Sequence, residues 1–450
     1  MIKTDILIIG GGPAGMVAAV TAKKSNPNKK IILAREKPKS VIPCGIPYIF
    51  QRLNSVEKNL MPDQPLRDNK IKLLIDRAIK INSRAKKVSF KKNGEIKYEK
   101  LILATGSEAT TIPLKGIDKK GVWQIKKDFD YLKKLRTAVL KSKNIVIIGG
   151  GFIGVELAEE LSSIKKINIS LVEKLNHCLI TTFDKEFAIA AEEKLKAKKV
   201  KIYTGATVEE IRGKNKVESV KLNNKKIPAD LVIISIGAKP NTNLAKEAGI
   251  KIGNYGGIKV NQYLETSAKD IFAVGDCAET KCLSTKKYTP IMLASTACHE
   301  ARIATANLYQ KQKSINNNGT LAVFSTMVDG LTLGITGLNE KKAKDEKLNI
   351  VVGTSTAPDH HPGKLPNTSN IKTKLIFSKS SGKLIGGQVS GGVSAGEMIN
   401  ILALAIQEET TVYNFDTLQI ATHPLLTAAP TVYPLITAAQ AALTKIVNKK

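Results

Sequence analysis

One glycine-rich pattern occurs twice in the chain, each time directly after an apolar run. The segment ILIIGGGPAGMVAAV at 6–20 returns as IVIIGGGFIGVELAE at 145–159, and both contain the spacing G-x-G-x-x-G. The first glycine makes a tight strand-to-helix turn, the second lets a pyrophosphate approach the backbone, and the third allows close helix–sheet packing. The phosphate lies at the N terminus of the following helix. The repeat predicts two dinucleotide sites on α/β units, with the candidate contact residues Gly10, Gly12, Pro13, Ala14, Gly15, Gly149, Gly151, Ile153 and Gly154.

An acidic residue follows the second predicted strand of each repeat. Glu36 ends the run IILARE after the first loop, and Glu173 ends the run NISLVE after the second. Each lies about 20 residues past the third glycine of its loop, where a carboxylate reaches the ribose hydroxyls of a bound dinucleotide. Because such a carboxylate also repels a 2′-phosphate, Glu173 favours NADH over NADPH, although the adjacent Lys174 can soften that preference.

Length and composition narrow the class of protein. The chain has 450 residues, too many for one hydrophobic core, so two or three domains are expected. No apolar stretch approaches the roughly 20 residues of a membrane span, so no membrane partner is expected. The formal charge of +31 comes from lysines spread along the chain without interleaved aromatic residues, which weighs against nucleic acid as a partner. Five scattered cysteines show no metal-ligand spacing and predict a metal-free cytoplasmic protein with reduced thiols.

Three further motifs carry a family resemblance over nearly the whole length. They are LILATGS at 101–107, VIISIGAKPN at 232–241 and DIFAVGDCAET at 270–280. With the two glycine loops, they make the chain resemble the FAD-dependent pyridine nucleotide–disulfide oxidoreductases. The resemblance is to the single-cysteine branch, which includes coenzyme A-disulfide reductases, NADH oxidases, NADH peroxidases and NAD(P)H sulfur reductases. It implies FAD at the first loop, NADH at the second, and further cofactor contacts from Ala104, Thr105, Gly106, Gly237 and Asp276.

The resemblance also implies an interleaved domain order. An FAD-binding domain would comprise residues 1–112 and 242–318, with an NAD(H)-binding domain at 113–241 inserted between the two segments. Both would be Rossmann-like, as in the glutathione reductase fold. After a polar linker at 311–320, residues 320–450 would form a C-terminal α+β dimerisation domain, so a homodimer is expected. Its predicted elements include strands at 373–379 and 383–390 and a helix at 395–407.

Cys44 is the candidate redox residue. It has no second cysteine nearby, which excludes an internal disulfide, and the run Ser40-x-x-x-Cys44-x-x-Pro47-Tyr48 resembles the coenzyme A-disulfide reductase and sulfur reductase members. Pro43 fits the first turn of a helix, and a thiol at a helix N terminus is stabilised as the reactive thiolate. The alternative is a small buried hydrophobic residue.

Two cycles are open to a lone cysteine. A thiolate can attack a small disulfide, persulfide or polysulfide and hold a mixed disulfide, or it can cycle through sulfenic acid against O2 or peroxide. Peroxidase and oxidase members of the family carry histidine at the position of Pro13, which weighs against peroxide chemistry. NADH oxidase activity with O2 therefore stays as the alternative. A flavin-bearing redox sensor or binding protein is the alternative of another class.

Several further positions are weaker substrate candidates. Family members with coenzyme A specificity place tyrosines in the third domain, where this chain has His360 and His361. Tyr433 is a possible substitute for them, although it can equally be a core tyrosine. His423, before Pro424, is the candidate proton donor to the released thiolate, and packing at its turn is the alternative. The other positions are Ser40, Tyr48, Lys23 and His299, and a surface role is the alternative for Lys23 and His299.

Overall fold

The strand–loop–helix repeat is present in the computed structural model, which describes residues 2–223, 225–289, 291–309 and 315–448. Two α/β units each carry one glycine loop, and a third unit near the C terminus is built on an antiparallel sheet. The predicted fold class is therefore confirmed. Residues 311–314 of the predicted linker lie outside the described part of the chain.

The first sheet has seven strands within the described residues, namely β1 (Ile2–Ile9), β2 (Ile31–Arg35), β3 (Lys72–Ile75), β4 (Ala78–Asn82), β5 (Lys87–Phe90), β6 (Gly94–Leu103) and β18 (Ile271–Ala273). The order is β3-β2-β1-β6-β5-β4, and β18 pairs with β6 in parallel. The contacts from β3 to β6 are parallel, whereas β4 and β5 add an antiparallel hairpin. Residues 6–9 of β1 are buried, as expected of a parallel strand covered on both faces.

The second sheet is entirely parallel. Its order is β11-β10-β9-β15-β8, so β8 is an edge strand. The strands are β8 (Val122–Gln124), β9 (Asn144–Ile148), β10 (Asn168–Val172), β11 (Lys201–Tyr203) and β15 (Leu231–Ile234). A three-stranded antiparallel sheet packs on it through a shared apolar cluster, and comprises β12 (Val208–Arg212), β13 (Ser219–Leu222) and β14 (Lys225–Pro228).

Short pairings join the units. The antiparallel pair β7 (Ser107–Ala109) and β16 (Ala238–Pro240) lies where the chain enters and leaves the second unit. A small sheet in the returning segment comprises β17 (Ile258–Lys259), β19 (Ala278–Lys281) and β20 (Tyr288–Thr289). The first sheet also joins chain from before and after the inserted second unit, because β18 pairs with β6.

The third sheet is antiparallel, in the order β21-β22-β25-β24-β23. Its strands are β21 (Val323–Val328), β22 (Leu331–Gly337), β23 (Ile350–Pro358), β24 (Asn370–Ser378) and β25 (Leu384–Gly391). The two strands predicted at 373–379 and 383–390 are confirmed as β24 and β25, and the helix predicted at 395–407 has those bounds.

Helices cover these sheets, and three of them define the site. Helix α1 (Pro13–Ser25) packs on the first sheet and on α7 (Ala294–Ala306), and α4 (Phe152–Ser162) packs on the second sheet. The other α-helices among the described residues are α2 (Gln64–Asp68), α3 (Phe129–Lys141), α5 (Lys185–Ala197), α6 (Asn243–Glu247), α8 (Glu340–Asp345), α9 (Ala395–Gln407), α10 (Val412–Asp416) and α11 (Pro434–Val447). Shorter 3₁₀ helices occur at Pro43–Ile49, Glu57–Asn59, Gly275–Cys277 and Pro430–Val432.

The third unit packs against the second unit through apolar and ionic contacts. The Phe152 ring on α4 stacks on Phe324 of β21, with 5.1 Å between centroids and 11° between planes. The buried Lys374 ammonium lies 2.9 Å from both Asp184 and Glu186. Of the helices that the structure describes, none is both long and apolar enough to cross a membrane.

Candidate functional site

The two glycine loops share one packing geometry. A Cβ atom on Gly10 would lie 2.0 Å from the carbonyl oxygen of Ala104, and the φ angle of Gly10 is +122°. A Cβ atom on Gly15 would lie 1.9 Å from the Gly10 oxygen, and one on Gly154 would lie 1.8 Å from the Gly149 oxygen. Only glycine fits these positions, because real Cβ atoms do not approach an oxygen so closely. The first and third glycines of each loop therefore hold a helix against its strand.

The middle glycine of each loop faces open space. No heavy atom lies within 4 Å of a Cβ built on Gly12 or Gly151, and these residues cap the N termini of α1 and α4. Pro13 supplies the preset φ angle of a first helical residue, whereas Ile153 at the second helix start is 43% exposed. Open space beside free backbone N–H groups at a helix start suits a pyrophosphate. Both loops therefore fit a dinucleotide.

The acidic residue of the second repeat is held against its loop. Glu173 directly follows β10, and one of its carboxylate oxygens accepts a hydrogen bond of 2.6 Å from the Gly150 N–H. The other oxygen accepts one of 2.7 Å from the Leu175 N–H. The Glu173 carboxylate thus lies beside the second loop, next to its open glycine Gly151.

The first repeat differs at this point. Glu36 is exposed, one residue beyond the end of β2. Arg35 instead packs along the first loop, since a Cβ on Gly11 would lie 2.6 Å from the Arg35 Cδ atom. The Arg35 guanidinium makes two hydrogen bonds, of 2.6 and 2.7 Å, to the Asp63 carboxylate. Sequence reasoning missed this arginine, because a buried cation is not part of the loop pattern.

The ATG segment meets the GxxPN loop. Ala104 is buried, and the Thr105 hydroxyl donates a 2.6 Å hydrogen bond to the Asn241 carbonyl oxygen. The Asn241 N–H donates to the Gly106 carbonyl oxygen at 2.9 Å. Gly237 has a φ angle of +104° and accepts a hydrogen bond from the Thr110 N–H. These predicted cofactor positions therefore lie together where the chain passes between the first two units.

Asp276 lies close to the start of α1. Its neighbour Gly275 approaches Ala14 so closely that a Cβ would be 3.0 Å from the Ala14 Cβ atom. One Asp276 carboxylate oxygen accepts hydrogen bonds from the Ser107 hydroxyl at 2.6 Å and from the Lys127 ammonium at 3.0 Å. Lys127 precedes α3 in the second unit and was not among the predicted site residues, because this contact spans 149 positions.

Cys44 lies on a short helix tied to the first loop. The helix begins at Pro43 as predicted, but it is a 3₁₀ helix that ends at Ile49. The Ser40 hydroxyl donates a 2.8 Å hydrogen bond to the Gly11 carbonyl oxygen. Ser40 therefore positions the segment in this structure, whereas the sequence suggests Ser40 as a substrate contact.

The groups of the protein around Cys44 raise the pKa of its thiol, which is opposite in direction to the effect expected of a helix N terminus. The residue is exposed, yet enough of the chain surrounds the sulfur that burial raises the pKa of the thiol. The Glu156 carboxylate raises this pKa further, Lys127 lowers it, and Asp276 raises it. Desolvation is the largest of these effects, because burial disfavours the charged form of the thiol.

Glu156 is the acidic group that most affects the Cys44 thiol. It lies on α4 and accepts a 2.8 Å hydrogen bond from the Thr326 hydroxyl of β21. Burial, with a contribution from Glu159, raises the pKa of Glu156 to about 7. Burial followed by Glu156 also raises the pKa of Tyr48 to about 12. The Cys44 helix, α4 and the third sheet therefore meet at this carboxyl group.

Arg52 clamps the Cys44 segment to α4. Its guanidinium makes hydrogen bonds of 2.7 and 2.9 Å to Glu159 and a further one to Glu160. The backbone N–H groups of Gln51 and Arg52 donate to Glu160 at 2.9 and 2.5 Å. The two glutamates are only 2% and 1% exposed, although they stand next to each other on one helix. The adjacent glutamates Glu159 and Glu160, in a largely apolar helix, were the feature of the sequence that could have indicated a buried cation.

Three of the weaker substrate candidates occupy structural or surface positions. The Lys23 ammonium donates to the carbonyl oxygens of Pro27 and Lys29, at 2.6 and 3.0 Å, and so closes the turn after α1. His299 lies at an exposed position of α7, where partial desolvation followed by Arg302 lowers its pKa. Tyr433 packs against the apolar core of the third unit at the start of α11, and burial raises its pKa.

The three late histidines come together in the third unit. His423 is exposed, and all its hydrogen bonds to described residues stay within its own turn, including one from the Leu425 N–H to Nδ1. The His361 N–H donates to the Pro424 carbonyl oxygen at 3.1 Å. The His360 ring nitrogen Nδ1 lies 2.6 Å from the Asp359 carboxylate. The positions where relatives carry tyrosine thus lie beside the turn of His423.

Neither a disulfide nor a metal cluster is present in the part of the chain that the structure describes. All five cysteines are free. The described residues contain no group of three or more His, Cys, Asp or Glu side chains placed to hold a metal ion.

Comparison with known proteins identifies the family. The profile of pyridine nucleotide-disulphide oxidoreductases matches residues 4–301, and that of their dimerisation domain matches residues 323–432. The chain is 30% identical to an NADH oxidase of Methanocaldococcus jannaschii, over 98% of this chain and 99% of that one. It is 32% identical to an NAD(P)H coenzyme A polysulfide/persulfide reductase of Pyrococcus horikoshii, over 86% and 88% of the two chains.

A solved structure shows the same fold. The NAD-dependent persulfide reductase from A. fulgidus superposes with a TM-score of 0.91 at 29% identity, covering 99% of this chain and 84% of that one. These matches span both glycine loops, the Cys44 segment and the third unit. The chain belongs to the pyridine nucleotide-disulphide oxidoreductase family.

Proposed function

We propose that the protein uses NADH, FAD and Cys44 to reduce a small disulfide, persulfide or polysulfide. The observation that carries this proposal is the position of the Cys44 segment, which is bonded to the first loop through Ser40 and to α4 through Arg52. Glu156 comes from the helix of the second loop, and Lys127 bonds Asp276, beside the helix of the first loop. A thiol placed between two dinucleotide sites can receive electrons that pass from one to the other.

The residues divide into two cofactor sites. FAD would lie on the first loop, Asp276 and the segment 104–106, in a domain of residues 1–112 and 242–318. NADH would lie on the second loop and Glu173, in a domain of residues 113–241. Bound FAD would transfer electrons from a hydride donor to sulfur, a reaction that amino-acid side chains do not carry out. The five free cysteines support a reducing compartment, the cytoplasm.

The proposed role of Cys44 follows thiol–disulfide chemistry. Its thiolate attacks one sulfur of the acceptor, a new S–S bond forms, and the other sulfur leaves as a thiolate. Two electrons that originate from NADH then break the mixed disulfide, which restores the Cys44 thiolate and releases the bound half of the acceptor as a second thiolate. Relatives named for polysulfide and persulfide support this acceptor class.

Oxygen is the second candidate acceptor, because the M. jannaschii relative is named an NADH oxidase. In that cycle the thiolate is oxidised to sulfenic acid and reduced again. Pro13 has no side-chain group that can move a proton, so the chain lacks a donor at that position. We therefore place sulfur acceptors before oxygen.

Cys44→Ser tests the function directly. The variant should keep FAD and be reduced by NADH, but it should lose at least about 99% of disulfide and polysulfide turnover, because serine forms no mixed disulfide. NADH oxidation is measured anaerobically with coenzyme A disulfide, polysulfide and elemental sulfur, and separately with O2. Cys282→Ser, which removes another free thiol, is the matched control. Disulfide turnover near the wild-type rate in Cys44→Ser would contradict the proposal.

Glu156→Gln should make the Cys44 thiol more acidic. Above pH about 7 the Glu156 carboxylate is ionised and raises the pKa of the thiol, so a neutral amide lowers that pKa. The midpoint of Cys44 alkylation by iodoacetamide, read by peptide mass spectrometry on reduced enzyme, should move to lower pH by up to about one unit. The exposed Glu193→Gln makes the same charge change on α5 and should leave the midpoint unchanged. An unmoved or higher midpoint in Glu156→Gln would show that the carboxylate does not act on the thiol.

Glu173 should give a preference for NADH. Its carboxylate lies beside the second loop and would meet the ribose hydroxyls of the nucleotide, where it repels a 2′-phosphate. We expect kcat/KM for NADH to exceed that for NADPH by about tenfold or more, a difference of about 1.4 kcal/mol. Glu173→Gln keeps a hydrogen-bond acceptor for the Gly150 N–H, and it should reduce the ratio of kcat/KM for NADH to kcat/KM for NADPH. A wild-type preference for NADPH would show that the carboxylate has another role.

His423 is proposed to act in the partner subunit of a homodimer. The matched dimerisation domain includes this residue, and the adjacent Leu425 and Leu426 side chains are 58% and 68% exposed. A histidine side chain can donate a proton to a leaving thiolate near neutral pH.

His423→Ala should therefore slow disulfide reduction about tenfold or more, while reduction of the enzyme by NADH keeps its rate. Stopped-flow measurements separate these two half-reactions. His423→Gln, which retains hydrogen bonding without proton transfer, should resemble the alanine variant. Equal slowing of both half-reactions, or full activity in a verified monomer, would exclude this role.

A further inference from the structure

A broad cavity of about 640 Å³, open to solvent, lies along β8 at the outer edge of the second sheet. This volume is within the range of small-molecule sites, roughly 300 to 1,000 Å³. None of the predicted dinucleotide contacts lines the cavity, and the strand β15 separates β8 from the strand that carries the second loop. The residues that matter for its chemistry are Asp118, Lys119, Lys120, Trp123, Lys126 and Tyr131.

Two aromatic rings form one wall of the cavity. The ring centroids of Trp123 and Tyr131 lie 5.2 Å apart, with 65° between their planes. The Tyr131 hydroxyl is fixed from both sides, since it donates to the Gln124 carbonyl oxygen at 3.0 Å and accepts from the Gln124 N–H at 3.1 Å. The wall is thus held in place before any ligand arrives, which lowers the entropy cost of binding.

Trp123 has an unused donor. Its indole N–H is buried, and no described residue accepts a hydrogen bond from it. An indole nitrogen is a donor only, and a buried donor without a partner costs roughly 1–3 kcal/mol. A ligand in the cavity would remove this cost only through a shift of the indole ring that exposes its N–H.

The cavity is also cationic. Lys119, Lys120 and Lys126 line it, against the single carboxylate of Asp118. Within the described part of the chain, none of these four side chains forms an ion pair, although many other surface lysines do. The Lys126 ammonium lies 5.1 Å from the centroid of the Tyr131 ring. Positive charge beside an aromatic wall suits a planar ring that carries anionic groups.

We propose that this cavity binds a nucleoside phosphate, separately from the two dinucleotide sites. The base lies against the side chains of Trp123 and Tyr131, and the phosphates lie between the lysines. The site is independent of the proposed reaction, since none of its residues takes part in electron transfer.

Trp123 makes the proposal testable, because it is the only tryptophan in the chain. Holoenzyme saturated with NAD⁺ is titrated with ADP, while Trp123 emission is recorded with excitation at a wavelength that ADP does not absorb. Equilibrium dialysis counts the bound ADP. We expect one additional ADP per chain, with a saturable change in emission, and at least tenfold weaker binding of adenosine and of pyrophosphate, which each lack one half of the ligand.

Paired variants locate the site. Lys119→Gln with Lys120→Gln should weaken ADP binding at least tenfold, whereas Lys91→Gln with Lys92→Gln makes the same charge change on an exposed turn of the first unit and should not. Lys126→Gln is the second variant if the first pair lowers the melting temperature. The proposal is overturned by no ADP beyond the NAD⁺ site, by equal binding in both lysine pairs and in Lys126→Gln, or by pyrophosphate binding as tightly as ADP.

Discussion

The contact between Arg52 and two buried carboxylates sets the position of the Cys44 segment. Glu159 and Glu160 are almost fully buried on α4, and Arg52 bonds both, with Lys198 adding a weaker contact to Glu159 at 3.7 Å. Buried carboxylates without a cation cost several kcal/mol, so the arginine cannot leave without a large loss of stability. The chain around Cys44 is therefore bound to the helix that follows the second glycine loop.

The same segment is bound at its other end to the first loop. The Ser40 hydroxyl reaches the Gly11 carbonyl oxygen, so a short stretch of chain spans both dinucleotide units. Lys127 connects the units a second time, from the second unit to Asp276. The third unit closes the arrangement through Thr326, which bonds Glu156 on α4. The surroundings of the Cys44 sulfur thus depend on all three units, and a shift in any of them changes the charges that act on the thiol.

The sequence was most informative where the cause of structure is local. The glycine loops, their helices and the strands of the third sheet depend on the spacing of near neighbours along the chain, and those predictions are confirmed. The burial of Cys44 and the effect of Glu156 on its pKa were not predicted, because both arise from distant parts of the chain. Arg52 and Lys127 were missed for the same reason, since their partners are 107 or more positions away. Arg35 was also missed, although it lies next to Glu36 in the sequence, because the dinucleotide motif specifies only the acidic residue at that point.

The late strand β18 has a consequence for biosynthesis. It pairs with Leu101–Leu103 of β6, although the whole of the second unit lies between the two strands in sequence. The second unit, by contrast, has all its strands within residues 122–234. A chain that leaves the ribosome N terminus first can complete the inserted unit while the first sheet still lacks β18 and the helix that carries Asp276. The first unit, which begins at the N terminus, is thus completed only after the second unit that is inserted into it.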